Sequence, residues 1–186
     1  DQAYAGGSHA PQIRSSGRAL LLMLAAFTVA VMGLGSWLLL EDHGPEPRMA
    51  PPVEFVTSAG DRIALDSLRG HPVVVSFWSD PCAACVAQWP VLAKLEHSLR
   101  GRGLKIIAVA GPSVPASLTR DYVERHKLRF PVAIDPSGEL ANTLGPVVQA
   151  PTHVLIDRRG MIVERLQGEL SPARLEGRIT EALAGR

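Results

Sequence analysis

The sequence is poor in cysteine. Its 186 residues contain only Cys82 and Cys85, with no second pair of cysteines or histidines at ligand spacing. Without a second pair, the four ligands of a structural zinc site are not completed. The sequence also lacks an excess of one charge, with 19 basic and 18 acidic residues, so nothing indicates a nucleic-acid partner. It has no internal repeat, and its length fits one ordinary domain with an appendage.

The two cysteines stand where an apolar run gives way to a helical pattern. The run Val73–Trp78 is typical of a strand that delivers Cys82 to a helix N-terminus, where free backbone N–H groups and the helix dipole favour a thiolate. Because residues i and i+3 share a helix face, Cys85 can displace a group attached to Cys82. A structural disulfide this short would add only about 2 kcal/mol. The pattern favours redox exchange, with metal binding as the alternative.

A long apolar segment precedes the cysteines. Residues 20–40 contain no charged side chain and would span about 30 Å, the thickness of the hydrocarbon core. Arg14 and Arg18 precede this segment, and Glu41 and Asp42 follow it. The positive-inside rule therefore predicts a transmembrane anchor over residues 20–40, a disordered cytoplasmic N-terminus over residues 1–19, and the remainder outside. A cleaved signal peptide would have a shorter apolar core and a small-x-small site at its end.

The remaining chain divides into a linker and a folded domain. Residues 41–52 contain four prolines, which predicts a stiff spacer, and residues 53–186 are predicted to form the domain. Its patterns predict strands at Val53–Thr57, Arg62–Leu65, Val73–Trp78, Leu104–Ala110, Phe130–Ile134, His153–Asp157 and Ile162–Gln167, and helices at Cys82–Leu99 with a kink at Pro90, at Ala116–His126, at Glu139–Leu144 and from Pro172 to Leu183 with Ser171 as N-cap. This alternation indicates an α/β sandwich with a mixed sheet.

Several motifs together carry a family resemblance. Ser76-Phe77-Trp78 precedes the Cys-x-x-Cys, Pro90 follows within the next helix, and the stretch 150–160 reads APTHVLIDRRG. In these motifs the sequence resembles the membrane-anchored thiol-disulfide oxidoreductases of the TlpA/ResA/CcmG (DsbE) type. The resemblance covers residues 53–186 and implies a thioredoxin-like three-layer sandwich with a central mixed β-sheet, preceded by one N-terminal transmembrane helix.

The resemblance also implies roles for individual residues. Cys82 would be the exposed nucleophile and Cys85 the resolving thiol of a redox-active disulfide. Pro151 would be a cis-proline beside the two sulfurs, with Thr152 following it, and Trp78 would shape the site together with Pro151. Proline has no N–H, so the neighbouring backbone would be left free to pair with a substrate strand.

Gln88 departs from the family pattern. Many relatives carry glutamate at this position, three residues after the second cysteine. A carboxylate there can take the proton of that buried cysteine, whereas an amide can form hydrogen bonds but cannot accept a proton. Ser76 similarly stands where thioredoxins have a buried aspartate. The acid–base behaviour of Cys85 is therefore expected to differ from that of the relatives.

The family implies a protein disulfide reductase of the bacterial inner (cytoplasmic) membrane. The protein would be a single-pass monomer without cofactor or metal, its C-terminal domain facing the periplasm. Because that compartment is oxidising, its electrons would come from a DsbD- or CcdA-type membrane donor. Client disulfides would belong to cytochrome c or copper-protein maturation, or to copper tolerance.

Two other functions compete with the reductase. A Cu(I)-binding module would use the two thiolates and His153 as soft and borderline ligands, although a histidine in an apolar strand is expected in the core. A peroxiredoxin-like peroxidase would need a Pro-x-x-x-Thr-x-x-Cys pattern, which the sequence lacks.

Overall fold

A computed structural model describes residues 23–24, 27–28 and 47–184. The four described residues near the N-terminus are helical, and Met23, Leu24 and Phe27 are exposed. The predicted segment 1–19, most of the anchor 20–40 and the first part of the linker lie outside the described residues. Among the residues described, no helix has both the length and the apolar character needed to cross a membrane.

The folded part contains eight strands. They are β1 (Arg48–Met49), β2 (Glu54–Val56), β3 (Arg62–Ala64), β4 (Val73–Trp78), β5 (Lys105–Ala110), β6 (Val132–Ile134), β7 (Thr152–Ile156) and β8 (Met161–Gln167). Six of them form one sheet in the order β1-β8-β7-β4-β5-β6, while β2 and β3 form a separate hairpin. In the sheet, β4, β5 and β6 are parallel to one another, β7 is antiparallel to both β4 and β8, and β1 is antiparallel to β8. The predicted mixed sheet is confirmed.

Four α-helices connect and cover these strands. They are α1 (Ala83–Leu99), α2 (Ala116–His126), α3 (Glu139–Leu144) and α4 (Pro172–Leu183), with short 3₁₀ turns at Leu65–Leu68 and Arg100–Arg102. The bounds predicted for α2 and α3 are confirmed. Ser171 caps α4 as predicted, its Oγ accepting from the Arg174 N–H at 3.4 Å. Helix α1 runs without a break from Ala83 to Leu99, with Pro90 inside it.

The side chains of β4 alternate between two apolar layers. Val74 and Trp78 pack on the side of α1 and α4, whereas Val73, Val75 and Phe77 pack on the opposite side, under the β2–β3 hairpin and α3. Alternation with a period of two residues is what a strand buried on both faces produces. The sheet therefore lies between two covering layers, which is the predicted thioredoxin-like three-layer sandwich.

The folded domain begins before the predicted boundary at residue 53. Arg48 and Met49 pair with Ile162 and Met161 of β8, the Ala50 N–H donates to the Gly160 carbonyl at 2.9 Å, and Ala50 is buried in the core. The end of the proline-rich segment 41–52 is thus an edge strand rather than spacer. Local composition indicated a linker because a two-residue strand has no periodicity to detect.

At the other edge of the sheet, β6 is shielded. Thr57 forms an antiparallel bridge to Ala133, and the Ser58 N–H donates to the Val132 carbonyl at 2.8 Å. The chain that follows β2 therefore covers part of the outer side of β6.

Removing β1 should destabilise the domain. A chain that starts at Val53 loses the β1–β8 pairing and the buried Ala50, which together should cost about 2 kcal/mol, since each backbone hydrogen bond contributes about 1 kcal/mol net. Urea unfolding of this chain and of one that starts at Pro47 would measure the difference. Equal unfolding midpoints would show that the domain begins at residue 53 after all.

Candidate active site

The loop after β4 places Cys82 at the N-cap of α1. Its Sγ accepts a hydrogen bond from the Cys85 N–H at 3.0 Å, so one of the free N–H groups of the first helical turn points at this sulfur. The two cysteines form a disulfide with Cα atoms 5.3 Å apart. Cys82 is partly exposed, whereas Cys85 is 2% exposed. An incoming disulfide therefore meets Cys82 first, and the helix N-terminus favours its thiolate.

Aromatic rings fix the start of α1 against the end of β4. Trp78 is buried, with its ring edge-on to Trp89 at 5.2 Å and to Tyr122 at 5.1 Å. Trp89 and Tyr122 are also edge-on at 5.3 Å, an arrangement that aromatic pairs prefer. Among the described residues, the Trp78 indole N–H has no hydrogen-bond partner. Trp78 thus serves as packing beneath the cysteines.

Tyr122 also reaches the loop before Cys82. Its hydroxyl donates to Asp80 Oδ1 at 3.1 Å, and this hydrogen bond, with burial and the nearby negative charge, raises the pKa of Tyr122 above its ordinary value. Asp80, in the loop before Cys82, is thereby tied to α2. No local pattern indicates this contact, because the two residues are 42 positions apart.

The Pro151 loop lies at the same end of the sheet. The Ala150–Pro151 peptide bond is cis, as the resemblance implied, and so is the Asp80–Pro81 bond, which was not predicted. Thr152 pairs with Phe77, so the loop before it stands beside the end of β4 that leads to Cys82. Thr152 is buried and its Oγ1 donates to the Gln149 carbonyl at 2.7 Å, which braces the loop.

A groove of about 260 Å³ adjoins this loop. It is lined by residues after β4 and β5 and by the segment before Pro151, including Trp78, Gly111, Val148 and Ala150. Val148 is 75% exposed, so its apolar side chain is open to an incoming polypeptide.

Gln88 and His153 form a buried hydrogen-bonded pair. Gln88 Oε1 lies 2.6 Å from His153 Nε2, and Gln88 Nε2 donates to the Leu170 carbonyl at 3.2 Å. Gln88 is 3% exposed and His153 is fully buried. Burial lowers the pKa of His153 from 6.5 to about 4, because the charged imidazolium is poorly solvated there. Sequence reasoning singled out both residues but not their contact.

The alternative copper site gains no support from this geometry. His153 is the expected core histidine, and its Nε2 is engaged by Gln88. Over residues 47–184 and the four helical residues near the N-terminus, no three His, Cys, Asp or Glu side chains are grouped as metal ligands.

Family membership follows from sequence comparison. The sequence model of the AhpC/TSA family matches residues 47–165. The thiol-disulfide oxidoreductase ResA of Bacillus anthracis is 33% identical over 69% of this chain and 73% of that protein. ResA of Bacillus thuringiensis subsp. konkukian is 28% identical over 86% of this chain and 91% of its own length. The chain belongs to the AhpC/TSA family and, within it, to the thiol-disulfide oxidoreductases of the ResA type.

Solved structures agree on the fold. A thiol:disulfide interchange protein of the thioredoxin family from Chlorobium tepidum superposes with a TM-score of 0.68, covering 75% of this chain and 98% of that chain at 23% identity. A DsbF homologue from Corynebacterium diphtheriae gives a TM-score of 0.67, covering 73% and 87% at 20% identity. The predicted thioredoxin-like fold is confirmed, and the predicted thiol-disulfide oxidoreductase activity is confirmed by the ResA relatives.

The reduced protein should be alkylated first at Cys82. This sulfur is partly exposed at the helix N-terminus, so its pKa is expected below the unperturbed thiol value of about 8.5. Mass spectrometry after brief iodoacetamide treatment at neutral pH would locate the label, with Cys82→Ser and Cys85→Ser as single-thiol controls. Preferential labelling of Cys85 would reverse the assignment of the nucleophile.

The buried His153 should make stability depend on pH. Its folded pKa of about 4 lies below its value of about 6.5 in the unfolded chain, so the unfolded state binds the proton first. The contribution of the neutral His153 to the free energy of unfolding is complete above pH 6.5. It is lost as the pH falls to 4, which lowers the free energy of unfolding by about 3 kcal/mol. Urea unfolding across this range should show a shallower decline for His153→Phe than for the natural chain.

Leu155→Val provides the control for this measurement, because Leu155 is buried on the same face of β7 and carries no ionisable group. This variant should lose stability equally at every pH and leave the slope of stability against pH unchanged. Parallel curves for the natural chain and His153→Phe would show that His153 does not stay neutral in the folded state.

Proposed function

We propose that this protein is a protein disulfide reductase that acts through the Cys82–Cys85 dithiol outside the cytoplasmic membrane. The observation that carries the proposal is the asymmetry of the pair. Cys82 is partly exposed at the N-cap of α1, and Cys85 is buried one turn later. Such a pair can attack a client disulfide with one sulfur and release the reduced client with the other.

The charges near Cys82 favour reduction of clients over oxidation. A strong oxidant needs a stabilised thiolate, and about 100 mV of potential corresponds to about 5 kcal/mol. The helix N-terminus contributes about 1 kcal/mol. The ionisable side chain two residues before Cys82 is Asp80, whose negative charge disfavours a neighbouring thiolate. The disulfide form is therefore comparatively stable, which makes the dithiol reducing.

The apolar segment 20–40 supports a location at the membrane. Its length and the flanking Arg14 and Arg18 fit a single-pass anchor in the bacterial inner membrane, with residues 1–19 in the cytoplasm and the folded domain in the periplasm. A periplasmic reductase needs electrons from across the membrane, so the proposed donor is a DsbD- or CcdA-type transporter. The proposed clients are disulfides formed during cytochrome c or copper-protein maturation. The protein is proposed to act on them as a monomer.

The reduction potential tests this proposal. We expect a value well below that of DsbA, which is about −120 mV, because little in the described site stabilises the Cys82 thiolate beyond the helix N-terminus. Equilibration of the purified protein with glutathione redox buffers, read by Trp fluorescence, would give the potential. A value close to that of DsbA would reject the reductase.

A pair of variants checks the cause. Asp80→Asn removes the negative charge near Cys82 and should raise the potential by about 10–20 mV, which corresponds to somewhat under 1 kcal/mol. Asp121→Asn, an exposed residue on α2, should leave the potential unchanged. A potential that does not respond to Asp80→Asn would remove the electrostatic argument for the direction.

A further inference from the structure

Three buried polar side chains gather on the α1 face of the sheet. Ser76 of β4 and His153 of β7 are directly paired across the two strands, and Gln88 of α1 contacts His153 one helical turn after Cys85. Ser76, Gln88 and His153 are each 3% exposed or less. Cys85 packs in the apolar cluster on this same face, so the polar side chains lie in the layer that holds the resolving cysteine.

The hydrogen bonds determine which nitrogen of His153 carries the proton. The Gln88 NH₂ group donates to the Leu170 carbonyl, which turns Oε1 toward His153. Because Oε1 can only accept, the hydrogen must be on His153 Nε2. Nδ1 is then a lone pair, and among the described residues it has no hydrogen-bond partner. A buried acceptor without a donor is costly and rare.

We propose that His153 Nδ1 accepts the proton of the Cys85 thiol when the mixed disulfide with a substrate is resolved. The inference rests on the dithiol exchange proposed above. In the disulfide form Cys85 has no proton to give, and the acceptor is unpartnered. On reduction a thiol donor appears on the same face of the sheet. His153 thereby supplies the proton acceptor that the Gln88 amide cannot provide.

The reaction balances in two steps. The Cys82 thiolate attacks one sulfur of the substrate disulfide, forming a mixed disulfide, and the other substrate sulfur leaves as a thiolate and takes a proton. The Cys85 S–H proton then passes to His153 Nδ1 as Cys85 attacks Cys82 Sγ. This forms the Cys82–Cys85 disulfide and releases the second substrate thiolate, which takes up the proton that His153 carried. Two electrons move from the dithiol to the substrate.

The surroundings keep His153 neutral until a proton arrives from Cys85. His153 is paired with the neutral Ser76 on β4 and with Leu166 on β8, and Gln88 on α1 contacts its Nε2, while Cys85 belongs to the apolar cluster on the same face. The charged pair on this face of β8 and α4, Glu164 and Arg178, is joined at 2.6 Å. Burial holds the pKa of His153 at about 4, so the imidazole is neutral at pH 7. A proton arriving from Cys85 leaves a thiolate behind, and the two opposite charges compensate each other.

Ellman's aromatic disulfide separates the two steps. Mixed with the reduced full chain, it releases one coloured thiolate when Cys82 attacks and a second when Cys85 attacks. With His153→Phe, the first release should keep its rate and the second should slow about 100-fold at pH 7, the lower end of what proton transfer contributes. The slowing of the second release should become smaller as the pH rises above the pKa of the Cys85 thiol, because hydroxide then removes the Cys85 proton.

Leu155→Val is the matched control. Leu155 is buried on the same face of β7, so this variant loosens the core without removing an acceptor, and its second release should keep the natural rate. An unchanged second release in His153→Phe, or a slowing that is equal at every pH, would overturn the inference. Loss of the first release from the natural chain would refute the dithiol exchange itself.

A measurement on the natural chain covers the case in which His153→Phe does not fold. The ¹⁵N resonance of His153 Nδ1 should move upfield on reduction, as it gains the Cys85 thiol as donor, while Nε2, bonded to Gln88, should stay constant. A Nδ1 resonance that is the same in the disulfide and dithiol forms would contradict the proposal.

Discussion

The site depends on β4 being held from both faces of the sheet. Val75 and Phe77 anchor the strand on the hairpin side, while Val74 and Trp78 anchor it on the α1 side. Because packing on both faces fixes the position of β4, the position of its last residue determines where the following loop and α1 begin. The pairing of β4 with β7 sets the position of the Pro151 loop at the same end. The cysteines and the cis-proline are therefore brought together by strand register, which a one-residue slip would destroy.

The buried pair of Gln88 and His153 shows how an amide is accommodated in an apolar layer. The Gln88 amide does not ionise, but it has two hydrogen-bonding atoms that must be satisfied in the core. The backbone carbonyl of Leu170 takes one and the imidazole takes the other. The position thus links α1, β7 and the segment that leads into α4, so it ties three elements together behind the resolving cysteine.

Local signals predicted the fold well and distant contacts poorly. The bounds of α2 and α3 and the Ser171 cap followed from periodicity and capping chemistry, which act within a few residues. The cysteine pair and Pro151 were evident from spacing and resemblance. The hydrogen bond between Gln88 and His153 was not, because it joins residues 65 positions apart. The strand β1 was missed for a related reason, since its two residues are ordered by β8 and by no pattern of their own.

The two margins of the sheet differ in how readily an extended chain could add to them. One margin is β1, only two residues long, and the other is β6, partly covered by the bridge from Thr57 to Ala133. Long, flat margins of unpaired N–H and C=O groups recruit extended chains and seed aggregates. The β6 margin offers extended polypeptides little backbone, since the strand has three residues and the Thr57 bridge covers part of it, whereas β1 covers only Met161 and Ile162 of the longer β8. An extended chain that adds to this sheet would therefore pair with β8 beyond β1 rather than with β6.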